Sequence, residues 1–306
     1  MNAAEWLARE TGTSPAEIAV LGAPISKASI SPSSAWSTPP ALRQALARFS
    51  TWDSVHGVDI ADIGVRDLGD VTGDRDDPDA HAAHERIQQA CRDAFSITST
   101  VVVIGGDNSL TRPAMHGAMQ ALPDLRWGLL TLDAHHDCRP LDRGSSNGTL
   151  VRELIEAGLP GNQVAQIGIQ PFANDAANAK WAADAGVVVF GIEQVLEDGI
   201  ISVVDDALFA LRRAGATALY VDFDIDVADR AFAPACPASM PGGLTPLQLL
   251  DAAHRLGRQI DVAAADITEV DAQADVNGST VRLAAATLIS FCSGVASRVL
   301  VKPGRQ

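Results

Sequence analysis

The chain is short of the features that mark secreted, membrane or nucleic-acid-binding proteins. Only four of its 306 residues are cysteine. Cys91, Cys138, Cys236 and Cys292 lie far apart with no C-x-x-C pair, which argues against a disulfide framework or a zinc knuckle and for free thiols in a reducing compartment. Basic charge is scarce too: 23 Lys and Arg face 38 Asp and Glu, a formal charge of −15, and no Lys/Arg-rich run is present. That leaves no basic footprint for nucleic acid or an anionic membrane. The opening MNAAEWLARETG is acidic where a secretion signal needs a basic start and an apolar stretch of roughly 7–15 residues. The longest uncharged stretch near the C-terminus, between Arg282 and Arg298, is interrupted by Thr287, Ser290, Ser293 and Gly294. It falls short of the roughly 20 apolar residues that cross a bilayer and is expected to be a core helix. No fixed-period repeat or low-complexity tract is visible. A cytoplasmic location and a small-molecule partner are the expectations that remain.

What is present is apolar and regularly spaced. Hydrophobic residues make up 47% of a chain long enough to bury a sizeable core. Short apolar runs predict strands at Ile18–Leu21, Asp62–Asp67, Val101–Ile104, Trp127–Asp133, Val164–Ile169, Val187–Phe190, Ala218–Asp224 and Asp261–Asp266. Between them, helical periodicity predicts helices around Pro40–Phe49, Ala80–Ser96, Pro113–Gln120, Gly148–Glu156, Asp175–Ala185, Ser202–Ala214, Pro246–Arg255 and Thr280–Ser297. Alternation of this kind predicts an α/β fold with a mostly parallel eight-stranded sheet flanked by helices. The acidic segment Asp70–Pro78 is the best linker candidate, but both kinds of run continue across it, so residues 1–306 read as a single domain.

In open α/β sheets ligands bind beyond the carboxyl ends of the strands. Three predicted strand ends are strongly polar: Asp107-Asn108-Ser109 after VVVIGG, Asp133-Ala134-His135-His136-Asp137 after WGLLTL, and Asp222-Phe223-Asp224-Ile225-Asp226 after ALYV. Strand side chains alternate faces, so Asp133, His135 and Asp137 can share one side, as can Asp222, Asp224 and Asp226. Carboxylates brought together in that number need cations to neutralise them, and carboxylates with one imidazole favour a hard or borderline divalent ion such as Mn²⁺.

At these residues the sequence resembles the ureohydrolase family of arginases, agmatinases and formimidoylglutamases. GGDN at 105–108 is similar to that family's GGDH, DAHHD at 133–137 to its DAHxD, and DFDIDVADRAFAP at 222–234 to its SxDxDxxDPxxAP. ITEVDAQAD at 267–275 resembles its EVNPxxD, and the segment starting Thr280-Val281-Arg282 its T-A-R-L-A-A helix start. The resemblance spans nearly the whole chain. It implies a three-layer α/β/α sandwich and a dinuclear manganese hydrolase, acting as a homo-oligomer, that cuts C–N bonds of guanidino or formimino groups. Carried over, it makes Asp133 and Asp224 bridging ligands, with His135 and Asp226 completing one metal site and Asp137 and Asn108 the other. Asn108 replaces the motif's histidine and is a weaker donor, so one site is expected to bind less tightly. Asp222 stands where the family has Ser and is expected to support the site rather than ligate. Glu269 would bind the substrate's amidine end, and Asp137 would pass a proton to the departing nitrogen. Asn147 stands where many relatives have a proton-shuttling histidine and is expected only to hydrogen-bond at the pocket mouth.

Selection among substrates must come from residues that read the far end. Arg112, Arg139 and Arg143 follow the motifs, and guanidinium groups match carboxylates and repel a cationic tail. An acidic substrate is therefore expected. N-formimino-L-glutamate fits best; arginine, N-hydroxyarginine or another guanidino acid is the alternative, and an inactive metal-binding relative the minor one. His56, His81, His84, His116 and His254 lie outside every motif and are expected to pack or face solvent, and Cys138, beside the site, has no neighbour that marks it as a nucleophile.

Overall fold

The computed structural model describes residues 1–9 and 16–300. Eight strands form one sheet: β1 (Ile18–Gly22), β2 (Val65–Asp70), β3 (Val101–Ile104), β4 (Trp127–Leu132), β5 (Val164–Ile169), β6 (Val188–Gly191), β7 (Ala218–Asp224) and β8 (Val262–Thr268). Their order is β2-β1-β3-β8-β7-β4-β5-β6. Every pairing is parallel. A parallel sheet is covered on both faces, so its strands are near-continuous apolar runs. Here alternate residues feed two cores. Val20, Val102, Ile104, Leu130, Leu132 and Val221 pack into one, with helices Thr38–Ala45, Ile200–Arg213, Pro246–Gly257 and Ser279–Leu300. Val101, Val103, Leu129 and Ala264 face the other, under helices His81–Ala94, Thr111–Ala121 and Leu150–Glu156. The result is a three-layer α/β/α sandwich.

All eight predicted strands and all eight predicted helices are present, with shifted ends. The second strand begins at Val65 rather than Asp62, because Ile60–Asp62 form a single 3₁₀ turn whose first N–H, from Ala61, is capped by the Asp59 carboxylate. Helices Ala3–Leu7 and Ile192–Asp198 and the two-residue ladder of Trp52–Asp53 with Val58–Asp59 were not predicted. They are too short to show a hydrophobic period. The C-terminal helix, Ser279–Leu300, runs through both flanking arginines. It is long and apolar enough to cross a membrane by length and composition, but most of it is buried in the core. Gly257 and Gly294 let it touch the helix Pro246–Gly257: a Cβ on Gly294 would lie 2.3 Å from the His254 carbonyl oxygen, and one on Gly257 2.2 Å from that of Phe291.

Motifs distant in sequence converge because their strands are neighbours. The four central strands, β3, β8, β7 and β4, end respectively in GGDN, in Glu269, in DFDID and in DAHHD.

Candidate metal centre and active site

The glycine pair after β3 is a packing requirement. A Cβ on Gly106 would sit 2.2 Å from the carbonyl oxygen of Ile25, and one on Gly105 2.8 Å from that of Ile267. Through this close approach Gly106 donates its N–H to Ala23 O (3.0 Å) and accepts from the Glu269 N–H (2.9 Å), joining three loops at the strand ends. Asp107 then serves structure: its carboxylate accepts from the Ser109 N–H (3.1 Å) and the Ser29 hydroxyl (3.1 Å).

Donor atoms of Asp133, His135 and Asp226 all lie within 4.8 Å of one another. His135 Nδ1 is 2.8 Å from Asp226 Oδ2 and 3.4 Å from Asp133 Oδ1. Local hydrogen bonds aim these groups: Asp133 Oδ1 accepts from the His135 N–H (2.6 Å), Asp226 Oδ1 from the Ala134 N–H (3.0 Å), and Asp224 Oδ1 from the Asp226 N–H (2.9 Å). Asp224 and Asp137 line the same cavity. Asp137 adopts a left-handed backbone (φ 49°), a cost tolerated where the surroundings over-determine the conformation.

The electrostatics call for a cation. Burial, then the neighbouring Asp226, lifts the Asp133 carboxyl to about 7, and burial with the Asp133 and Asp226 charges holds Asp137 and Asp224 well above the usual carboxylate range. Although burial pulls the other way, the Asp226 and Asp133 carboxylates lift His135 to about 12 and His135 holds Asp226 low. Protons can balance these charges; a divalent ion does so while using every oxygen and the imidazole as ligands. The residues therefore fit a bound metal at Asp133, His135, Asp224 and Asp226.

Asn108 is brought to the cluster with its amide turned away from a ligand's pose. Nδ2 faces Asp137 Oδ2 (3.1 Å) and Asp222 Oδ2 (3.4 Å), while Oδ1 accepts from the hydroxyls of Thr111 (2.8 Å) and Thr268 (3.2 Å). Reversing it would set its oxygen against two carboxylates. Asp222 does not reach the cavity. It is fully buried and in register with Asp266 on β8, which accepts from the Tyr220 hydroxyl (2.7 Å). Burial and the Asp266 charge hold the Asp222 carboxyl well above its ordinary range.

Glu269, 2% exposed with φ 65°, stands on the opposite wall. Its Oε1 accepts from the Asn108 N–H (2.7 Å) and Asn147 Nδ2 (2.9 Å), which leaves Oε2 for the cavity. Asn147 in turn accepts from the Ile30 N–H (3.0 Å). Arg139 also lines the cavity, is exposed, and has no carboxylate paired with it among the described residues. The other two arginines do not reach it. Arg112 pairs with Glu153 (2.8 Å) and donates to His84 Nδ1 (3.0 Å), lining a separate cleft with His81 and His84. Arg143, exposed on the 3₁₀ turn Leu141–Arg143, faces the adjoining outer cleft. Lying near a motif in sequence placed neither at the cavity, because the chain turns away after each strand end. Conversely, Asn174, Asp175 and Asn178 line the cavity without having been predicted. Asn174 clips the DAHHD loop by accepting from the His136 N–H (2.8 Å) and donating to Ala134 O (3.0 Å). An Asn-Asp pair before a helix reads as an ordinary N-cap, and Asp175 is one.

A buried carboxylate–imidazole cluster at the carboxyl ends of a parallel sheet, faced by a glutamate with one free oxygen, defines a metal-dependent hydrolase. The sequence model of the arginase family matches residues 16–293, and the chain belongs to that family. It is 36% identical over 279 residues to the formimidoylglutamase of Halalkalibacterium halodurans, covering 90% of this chain and 86% of that one. To the formimidoylglutamase of Bacillus subtilis it is 32% identical over 281 residues, again 90% and 86%. The crystal structure of the Bacillus subtilis enzyme superposes with a TM-score of 0.90 at 30% identity, covering 97% of this chain and 92% of that one. Trypanosoma cruzi formiminoglutamase, solved with Mn²⁺, shares the fold at a TM-score of 0.87 and 22% identity, covering 97% and 99%. The protein is thus an arginase-family, metal-dependent, formimidoylglutamase-like hydrolase.

Proposed function

We propose that the protein hydrolyses N-formimino-L-glutamate to L-glutamate and formamide with Mn²⁺ as its metal. The observation that carries this reading is the unpaired Arg139 guanidinium on the wall of the cavity that holds the metal cluster and Glu269. A cation there suits a carboxylate at one end of the substrate, while the free Glu269 oxygen suits an amidine at the other. The name of the Bacillus subtilis and Halalkalibacterium halodurans relatives supports the same substrate.

Asp133, His135, Asp224 and Asp226, with Asp137, would hold the ions. With the Asn108 amide donating toward Asp137, a second ion there would rely on carboxylates alone and would bind less tightly. Bound Mn²⁺ supplies Lewis acidity that makes water a nucleophile at neutral pH. The chain's own residues do the rest. Glu269 Oε2 accepts from the amidine N–H groups and orients the planar carbon toward the carboxylate cluster. Asn147 keeps Glu269 in place through Oε1. Asp137, on the cavity wall, would take the proton that the attacking water releases and pass it to the departing nitrogen. Asn147 cannot carry a proton, so at that position the relay ends in solvent. Water adds its oxygen to the formimino carbon, and the C–N bond to the glutamate nitrogen breaks.

Four buried thiols suit a reducing compartment, and we place the protein in the cytoplasm. We also propose a homo-oligomer, as the resemblance to the family implies. The test is substrate choice with Mn²⁺: formiminoglutamate is turned over, while agmatine, guanidinobutyrate, arginine and hydroxyarginine are not. Release of urea from a guanidino acid in preference would replace this reading with the alternative one.

A further inference from the structure

We propose that Asp53, His56 and His254 form a second metal site, taking a borderline divalent ion such as Zn²⁺, at the end of the sheet opposite the active centre. Asp53 and His56 come from the loop that carries the Trp52–Asp53 and Val58–Asp59 ladder. His254 sits in the last turn of helix Pro246–Gly257, which leads into the amino end of β8. The active centre occupies the carboxyl ends of the strands, so the two sites lie at opposite edges.

Two observations point to a ligand. One donor atom from each of the three residues falls within a 4.8 Å cluster. Independently, the His254 ring is buried (5% exposed) and neither of its nitrogens has a hydrogen-bond partner. Its Nδ1 points toward the Asp53 carboxylate at 3.9 Å, beyond hydrogen-bond reach. A buried imidazole left without partners is costly, and an ion held against Asp53 supplies one.

The remaining geometry prepares the site. Asp53 Oδ1 accepts from the Val55 and His56 N–H groups (3.0 and 3.1 Å), which fixes the carboxylate. Its Oδ2 accepts from the Ser293 hydroxyl (2.6 Å) and lies 2.8 Å from His56 Nδ1. The two imidazoles stack at 3.4 Å and 7°, which brings His56 beside His254. Ligands on one tetrahedral zinc, at about 2.0–2.1 Å each, stand roughly 3.3 Å apart and each imidazole binds in its own ring plane, so binding takes a movement that closes the 3.9 Å gap and turns the His56 ring out of the stack. It falls on the surface loop and on His56, which is a third exposed. Two imidazoles and one carboxylate favour Zn²⁺ over Mn²⁺ and leave a position for water. Asp251 and Ser290 line the same cleft. Bound there, the ion would staple the loop to the helix Pro246–Gly257.

The test loads the full protein with saturating Mn²⁺, adds Zn²⁺, removes free metal by gel filtration and counts metals per chain. Wild type should retain one Zn²⁺ more than His254→Gln, and a further variant, His56→Gln, should lose it as well. Both variants should keep the wild-type Mn²⁺ content and turnover. Zn²⁺ should raise the wild-type Tm by about 2 °C or more, and that of the variants not at all. Equal Zn²⁺ retention in wild type and in whichever variants fold, or an equal Tm response, would overturn the site.

Discussion

Replacing Glu269 by glutamine isolates one oxygen. Oε1 is committed to the Asn108 N–H and Asn147 Nδ2, and a glutamine carbonyl can accept both of those bonds. The change therefore falls on Oε2, which becomes an NH₂ facing the cavity. A cationic amidine beside it draws Glu269 into its ionised form, and the change then removes a charge-assisted acceptor and sets donor against donor. Hydrogen bonds to charged groups contribute about 1.5–3 kcal/mol each, so a loss of roughly 2–4 kcal/mol is expected, a fall in kcat/KM of roughly 30- to 900-fold. Stability should hold or rise, because burial, and then Asp107, push the Glu269 carboxyl up to about 8 and a neutral amide escapes that cost. Steady-state kinetics on formiminoglutamate with saturating Mn²⁺, beside a thermal melt, reads both effects. A variant within threefold of wild type would refute the role of Oε2. A large drop in Tm would instead mark Glu269 as a structural group.

The remaining predictions concern the far end of the substrate, the metals and pH. Arg139→Ala should raise KM for formiminoglutamate about 10- to 100-fold, while Arg112→Ala and Arg143→Ala, both outside the cavity, should leave KM within about threefold. Calorimetric titration with Mn²⁺ should resolve two unequal sites, since Asn108 turns its NH₂ toward Asp137; two equally tight sites would contradict that arrangement. Burial and Arg112 hold His84 at about 4 in the folded protein against an ordinary 6.5. The unfolded chain therefore takes up a proton that the folded one refuses, and stability present above pH 6.5 is lost as pH falls to about 4, about 3 kcal/mol in all. Denaturant melts across that range should show this slope, and His84→Asn should flatten it; an unchanged slope would place the acid sensitivity elsewhere.

The sheet and its flanking helices were legible because a doubly covered parallel strand must be a continuous apolar run, as in Val101–Ile104 and Trp127–Leu132. The cluster at the strand ends was legible for a similar reason. Asp133 with His135, and Asp224 with Asp226, sit at fixed spacing at strand ends, and strand adjacency does the rest. Illegible were features set by where loops turn. Arg112 and Arg143 follow motifs in sequence as Arg139 does, at four and six residues against two, yet only Arg139 of the three faces the cavity. Asn108 lies at the cluster, but which end of its amide meets Asp137 depends on the Thr111 and Thr268 hydroxyls, one of them on another strand. His56 and His254, 198 positions apart, gave no local sign of meeting.

The central claim is that this cavity joins amidine hydrolysis to recognition of an acidic substrate. Product analysis by mass spectrometry, with N-formimino-L-glutamate and Mn²⁺, tests it most directly. The account predicts equimolar formamide and L-glutamate, with activity lost on chelation and restored by Mn²⁺. No turnover of that substrate, beside urea release from arginine or another guanidino acid, would contradict it.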